Sequence, residues 1–299
     1  MNFWSVIKVW RSESLSKLIR RSENIYDQMK NLFPLQTGSK IKITVRSRLI
    51  GADTFTVIAG PCTIENYEDL LEIALELKKR NICFLRGGAY KLRTSPYSFP
   101  GLGITGLEIL KRVCAETGLI SVSEITSAED VSLFSDLVDI IQIGTRNMHN
   151  YRLLEKLGDI SNPVILKRGL SSTIEEWLYA AEHILKAGNP NVILCERGIR
   201  TFETYTRNTL DISAIPAVRN LSNLPVIIDP SHSSGRRELI RPLSWAAAAA
   251  GADGIIMETH FRPDKVICDS EQTIDLTTFD QIYSGFPELI ALWQKHIQE

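Results

Sequence analysis

The sequence predicts an α/β protein of the (β/α)8 TIM-barrel class, with a short N-terminal helical arm and a β-hairpin ahead of the barrel. Three observations predict it. Eight short apolar runs rich in Val and Ile recur from residue 55 onward, without the polar alternation of a half-exposed sheet. Helix-length amphipathic segments separate them. Polar and mostly charged residues follow every run. Continuous apolar runs suit strands buried on both faces, as a parallel sheet requires. An open doubly wound sheet is the alternative, but eight consecutive βα units with no longer interruption fit closure better.

In chain order, residues 1–40 come first, and 3–33 read as one or two amphipathic helices with several basic residues. They are too few for an independent regulatory domain and read as an oligomer contact or packing arm, so a homo-oligomer is expected. Residues 41–45 and 47–50 alternate as a short hairpin does. That hairpin could plug the N-terminal face of the barrel, and 41–299 is taken as one catalytic domain. The eight strand candidates are 55–59, 82–85, 119–122, 139–143, 163–166, 192–194, 225–228 and 254–257. Residues 67–80 carry apolar side chains at 70, 71, 73, 74, 75 and 77 with charges opposite, a helical period. Residues 175–187 and 239–250 have comparable character.

Composition narrows the class of protein. A chain of 299 residues, 44% apolar and 23% charged, can bury a large core without disulfides. The formal net charge of −1 suggests neither nucleic acid nor an anionic membrane as partner. Five cysteines, at 62, 83, 114, 195 and 268, are odd in number and irregular in spacing, which argues against a disulfide framework. The N-terminus is interrupted by Lys8 and Arg11 and has no small-residue cleavage site, so it does not read as a signal peptide. The small apolar stretch 245–251 is too short to span a bilayer. A reduced, cytoplasmic protein is expected.

The chemistry gathers after the strands, on the face where barrel enzymes keep their sites. Arg86, Lys91, Arg93, Arg146, Lys167, Arg168 and Arg197 all fall there. Any one of them could simply pair with an acidic neighbour. Seven on one face of a near-neutral protein imply an anionic ligand with more than one charged group, since Arg grips phosphate or carboxylate bidentately and Lys supplies a point charge. A second group is Cys62 after the first strand, His232 after the seventh, Glu258 after the eighth and Asp269 in the loop beyond. A lone cysteine after a strand is usually core. In a closed barrel, however, strands seven, eight and one are neighbours, so these four can converge. One thiolate, one imidazole and two carboxylates suit a divalent ion such as Mn, Fe, Co or Zn.

The motifs also resemble a known family. They are Gly60-Pro61-Cys62, Arg86-Gly-Gly-Ala-Tyr-Lys91-Leu-Arg93-Thr94-Ser95, Lys167-Arg-Gly, Cys195-Glu-Arg-Gly-Ile-Arg-Thr-Phe-Glu203, Thr206-Arg-Asn-Thr-Leu-Asp211 and Asp229-Pro-Ser-His232. Together, over residues 40–280, they resemble the 3-deoxy-D-arabino-heptulosonate 7-phosphate (DAHP) synthases, in the branch shared with 3-deoxy-manno-octulosonate 8-phosphate synthase. The resemblance implies condensation of phosphoenolpyruvate with erythrose 4-phosphate, the first step of the shikimate pathway. It implies Cys62, His232, Glu258 and Asp269 as ligands of a divalent metal, and Arg86, Lys91, Arg146, Lys167 and Arg197 as holders of phosphoenolpyruvate. Arg93, Thr94 and Ser95 would take the aldose phosphate, Asp229 would lie near its hydroxyls, and Glu124 would lie near the attacking water. Lys91 would help to polarise the aldehyde, and Lys167 is the candidate proton donor by position and charge.

Lys91-Leu-Arg93-Thr94-Ser95 is closer to the DAHP-type Lys-Pro-Arg-Thr-Ser than to the octulosonate pattern, which carries Asn before the Arg. Five residues depart from the family pattern: Leu92 for Pro, Thr145 for Ala, Phe261-Arg262 where Pro is usual after His260, and Ser270 for Gly after Asp269. None removes a ligand or a charge. The alternatives are a related synthase acting on another aldose phosphate, such as arabinose 5-phosphate or a specialised-metabolism sugar, and a non-catalytic sugar-phosphate sensor. A complete metal set argues against a sensor. A metal-dependent aldolase on the same fold would not need so many phosphate-binding cations.

Overall fold

Alternating apolar residues at 41–50 build a hairpin, β1 (Lys42–Val45) against β2 (Arg48–Gly51), with Ile43 opposite Ile50. The computed structural model describes residues 40–51, 54–92, 95 and 97–296. The expected arm at 1–40 lies outside the described residues except for Lys40, and so do Arg93 and Thr94 of the candidate aldose site.

The eight apolar runs become eight parallel strands, each within three residues of its expected ends. They are β3 (Thr56–Gly60), β4 (Phe84–Arg86), β5 (Ile120–Ile125), β6 (Ile140–Ile143), β7 (Val164–Lys167), β8 (Val192–Glu196), β9 (Val226–Ile228) and β10 (Gly254–Glu258). They pair in chain order, and β10 returns to β3 with Gly254 opposite Thr56, closing the barrel. The helices are α1 (Tyr67–Lys79), α2 (Ile104–Thr117), α3 (Val131–Leu137), α4 (Tyr151–Lys156) and α5 (Ile174–Lys186), followed by α6 (Ala214–Leu221), α7 (Pro230–Ser234), α8 (Arg237–Ala249) and α9 (Leu276–His296).

Local sequence explains where the helices start. The Asn66 side chain accepts the Asp69 N–H at 2.7 Å to cap α1, and Thr173 with Glu176 forms a reciprocal capping box on α5. The long helices α1 and α5 then bury their apolar faces in the core cluster that covers the outward side of the strands. Leu70, Ile73, Ala74 and Leu77 do this on α1, and Trp177, Leu178, Ala181 and Ile184 on α5.

Inside the barrel, side chains alternate with period two. Ile58, Phe84, Ile120, Val122, Ile140, Ile165, Ile193, Ile227 and Ile256 form an interior apolar cluster, distinct from the larger one between strands and helices. Ile43, Val45 and Ile50 of the hairpin join that interior cluster. The plug expected from the sequence is therefore present, and it seals the end away from the polar residues. Arg46, at the hairpin turn, also pairs with Asp139 at 2.9 Å. That pair is half exposed and contributes little. Among the described residues, no helix is long and apolar enough to cross a membrane.

Because the plug holds by apolar contact, Ile43→Ala should cost on the order of 2–5 kcal/mol. Urea unfolding should show a lower midpoint with ligand binding at the opposite face retained. An unchanged midpoint would mean that the hairpin is not part of the cooperative core.

Candidate active site

The period-two alternation that fills the barrel floor also aims the charges. Two residues beyond an inward apolar side chain, the next inward position is Arg86 after Phe84, Glu124 after Val122 and Gln142 after Ile140. Likewise Lys167 follows Ile165, Asp229 follows Ile227 and Glu258 follows Ile256. Each points over the apolar layer at the C-terminal end of the barrel.

Barrel closure brings Cys62, His232, Glu258 and Asp269 together, with one possible ligand atom from each within 4.8 Å of the others. Cys62 Sγ lies 3.0 Å from Asp269 Oδ2, and His232 Nε2 lies 3.1 Å from Glu258 Oε1. Glu258 is fully buried, and its Oε1 has no hydrogen-bond partner among the described residues. Burial alone would raise its pKa, but His232 and Arg86 outweigh burial and hold it well below the usual carboxylate range. Burial and the nearby Glu258 push the Cys62 thiol well up, against the pull of Lys91. A buried thiol beside two carboxylates becomes a good ligand once a cation favours the thiolate. Asp269 sits at φ 57°, a left-handed conformation that Asp tolerates better than most residues.

Next to this group lies a cavity of about 420 Å³, lined by Lys91, Arg146, Lys167, Arg197, Arg200 and Arg207, with Glu124, His232 and Asp269. Leu92 and Ser95 are on its rim. Lys91 joins the two parts, its Nζ donating to Cys62 Sγ at 3.0 Å. A Cβ at residue 88 would come within 2.7 Å of Lys91 Nζ, so Gly88 makes the room that this lysine occupies. Gly144 does the same for Glu124, whose Oε1 would lie 2.1 Å from an added Cβ. Arg86 is buried at the floor, paired to Glu258 at 3.1 Å, and its Nη1 has no partner among the described residues. Such a donor is suited to an incoming anion.

One expected placement changes, and a second residue is held more deeply than its motif suggests. Arg168 does not belong to the cationic mouth. It follows the inward Lys167, so strand alternation turns it outward, where it pairs with Glu196 at 2.9 Å and Asp211 at 2.8 Å. Asp229, expected near the aldose hydroxyls, is not among the residues that line the cavity. It is fully buried, with Oδ2 receiving Lys167 Nζ at 2.5 Å and His232 Nδ1 at 2.8 Å, and Oδ1 receiving the His232 backbone N–H at 2.9 Å. Burial would raise its pKa, but His232 and Lys167 outweigh that and hold it well below the usual range.

Sequence reasoning missed four residues. Gln142 holds Glu124 at 2.8 Å, and strand alternation past Ile140 could have found it. Arg200, Arg207 and Gln272 lie on loops, where no period marks them.

A family model described as the DAHP synthetase I family matches residues 37–292. The chain is 52% identical over 240 residues to a phospho-2-dehydro-3-deoxyheptonate aldolase of Thermotoga maritima, covering 80% of this chain and 71% of that protein. It is 33% identical over 254 residues to a 2-dehydro-3-deoxyphosphooctonate aldolase of Desulfatibacillum aliphaticivorans, covering 79% and 91%. Among solved structures, it is similar to the T. maritima phospho-2-dehydro-3-deoxyheptonate aldolase (DAHP synthase), with a TM-score of 0.82 and 49% identity, covering 85% of this chain and 74% of that one. A truncated form of the T. maritima 3-deoxy-D-arabino-heptulosonate 7-phosphate synthase matches with a TM-score of 0.82 and 45% identity, covering 88% and 97%.

The outward turn of Arg168 separates two arginines that look alike in sequence. Arg168→Met strands the buried Glu196 and should cost about 3–5 kcal/mol. Arg197→Met strands no carboxylate, and should abolish phosphate binding with a much smaller loss of stability. Urea unfolding and calorimetric titration with inorganic phosphate measure both. The reverse pattern would return Arg168 to the mouth.

Proposed function

The chain belongs to the DAHP synthetase I family, and from that premise we propose that its barrel mouth joins phosphoenolpyruvate to erythrose 4-phosphate, yielding DAHP and phosphate. It is a transferase-type synthase acting on small phosphorylated substrates. The observation that carries the residue-level reading is Lys91, which touches the candidate metal ligand Cys62 at 3.0 Å and lines the cation-rich cavity. One side chain thus joins the place where a carbonyl would be activated to the place where anions would be held.

The donor set fits a divalent cation: a soft thiol, an imidazole nitrogen and two carboxylates, with a buried carboxylate oxygen left without a hydrogen bond. Cys62, His232, Glu258 and Asp269 would hold it. Bound there, the ion would supply a Lewis acid for the aldehyde oxygen. Its identity among Mn, Co, Fe and Zn is set by finer geometry and by supply.

The chain's own groups do the rest. Arg86, Lys91, Arg146, Lys167 and Arg197 hold phosphoenolpyruvate, and Ser95, with Arg93 and Thr94, takes the aldose phosphate. Carbon 3 of phosphoenolpyruvate forms the new bond to the aldehyde carbon. The aldehyde oxygen takes a proton, for which Lys167, steadied by Asp229, is the candidate donor. Water adds to carbon 2, with Glu124 held beside it by Gln142 to accept a proton. The carbon–oxygen bond to phosphate then breaks, the hydroxyl proton on carbon 2 leaves with the departing phosphate, and the ketone remains. Fixing two anions in contact is the larger part of this work. The five cysteines, all free, suit a reducing cytoplasm, and a homo-oligomeric state fits the expectation for the N-terminal arm. The 33% identity to an octonate aldolase makes arabinose 5-phosphate the second aldose to try.

Phosphate release from phosphoenolpyruvate with a panel of aldose phosphates tests the substrate. Erythrose 4-phosphate should be preferred, and release with arabinose 5-phosphate alone would overturn that choice. Exhaustive chelation should abolish turnover, with recovery on adding Mn or Co. Cys62→Ser should lose both metal binding and activity while melting near wild type. Full turnover of metal-stripped protein would remove the ion from the reading.

Leu92 lines the cavity and is about one-third exposed. Proline there would fix φ near −65° and stiffen the approach to the aldose-binding residues. Freeing one residue costs about 0.4–1 kcal/mol in ordering, a few-fold effect. Leu92→Pro should therefore lower KM for erythrose 4-phosphate and leave KM for phosphoenolpyruvate unchanged. Lost activity in that variant would make Leu92 a specificity device for another sugar phosphate.

A further inference from the structure

We propose that Gln272 is a positioning residue of the metal centre, which together with Arg207 fixes the two carboxylate ligands so that each presents one oxygen inward. The inference rests on the four-ligand metal reading above.

Gln272 is buried, with 2% of its surface exposed. Its Nε2 donates to Glu258 Oε2 at 2.5 Å. Its Oε1 accepts from Arg207 Nη1 at 3.2 Å, and the same Nη1 lies 3.4 Å from Asp269 Oδ1. One amide therefore links both carboxylates, directly to Glu258 and through Arg207 to Asp269. The atoms left over are the ones that face the centre. Glu258 Oε1 has no hydrogen bond among the described residues and lies 3.1 Å from His232 Nε2. Asp269 Oδ2 is turned to Cys62 Sγ at 3.0 Å. His232 follows the same rule, its Nδ1 held by Asp229 and its Nε2 directed inward.

The loop is built to hold this spacing. Asp269 is in the left-handed region, and its carbonyl receives the N–H groups of Gln272 at 3.2 Å and Thr273 at 3.1 Å. That turn places Gln272 beneath Glu258, while Arg207 reaches across from another loop. Without the amide, Glu258 could rotate, offer both oxygens or neither, and leave a buried oxygen without a donor. Partners behind metal ligands typically set affinity by about 10–100-fold. Gln272 does not line the cation-rich cavity, so its loss should leave anion binding alone.

The test uses full-length, metal-stripped protein and Mn(II), with affinity read by competition against a chromophoric chelator. Gln272→Leu, which keeps the volume but removes the amide, should raise the Mn(II) Kd by about 10–100-fold. The metal-free protein should melt somewhat lower, since buried Glu258 Oε2 loses its donor, while its affinity for phosphoenolpyruvate should not change. Arg207→Met, at a half-exposed position, should weaken Mn(II) in the same direction but less, and serves if Gln272→Leu does not fold. Cys62→Ser is the control. If it loses Mn(II) while Gln272→Leu and Arg207→Met bind like wild type, the positioning role is wrong and the metal reading stands. If wild type takes up no Mn(II), or Cys62→Ser binds it equally well, the metal reading fails and this inference fails with it. Parallel loss of phosphoenolpyruvate affinity in Gln272→Leu would also overturn it, since that marks a general collapse of the site.

Discussion

Asp229 Oδ2 receives Lys167 Nζ at 2.5 Å on one side and His232 Nδ1 at 2.8 Å on the other. A fully buried carboxylate is costly unless charged partners surround it, and removing one partner is worse than replacing the whole set. Here the partners are the two functional halves of the site. Lys167 belongs to the cavity that holds anions, and His232 to the candidate metal group. Their separation is therefore set by one carboxylate that never meets solvent. The same residue caps α7 through Oδ1, so the backbone that carries His232 is fixed by the side chain that orients its ring.

Room for this arrangement comes from what the loops leave out. Lys91 occupies space that a Cβ at Gly88 would take, and Glu124 space that a Cβ at Gly144 would take. Behind them, Arg168, Glu196 and Asp211 form a buried ion cluster outside the strands. Glu196 Oε1 also receives the Gly198 N–H at 2.6 Å, which bends the chain just after Arg197. An ion cluster that never touches the cavity thus shapes the turn that presents a cavity residue.

Much of this was legible in the sequence because buried parallel strands leave continuous apolar runs, and all eight were readable. The hairpin was readable from its alternation. The four residues of the metal group could be gathered from barrel closure, since only closure makes the first and eighth strands neighbours. Strand parity carried more than was used: Arg168 directly follows the inward Lys167 and must face out, and Gln142 shares the parity of Ile140. Asp229 was placed by its resemblance to a motif, and only burial and hydrogen bonds show that both its oxygens are taken. Gln272 had no such signal, and Arg207, though it lies in the Thr206–Asp211 motif, had none that tied it to the metal group. Their roles depend on the left-handed turn at Asp269, and loop conformation has no period to read.

The cations of the mouth are not equivalent, and the difference bears on which of them grips substrate. Two anionic reactants held about 6 Å apart repel by about 3 kcal/mol per pair of unit charges at an effective dielectric near 20. Several net positive charges are needed to offset that. Arg86 and Lys167 are each paired with a buried carboxylate, so much of their charge is already matched. Arg197 is different. It is buried, and its guanidinium donates to the carbonyls of His232 at 2.9 Å and Gly198 at 3.5 Å. Among the described residues, no carboxylate lies within ion-pair distance of it. Burial lowers its pKa, which means that the charged form is held at a cost. An anion arriving beside it relieves that cost and gains a charge-assisted hydrogen bond at once. Of Arg86, Lys167 and Arg197, the last therefore has the most to gain from a phosphate, and the carbonyls of His232 and Gly198 hold its guanidinium in place.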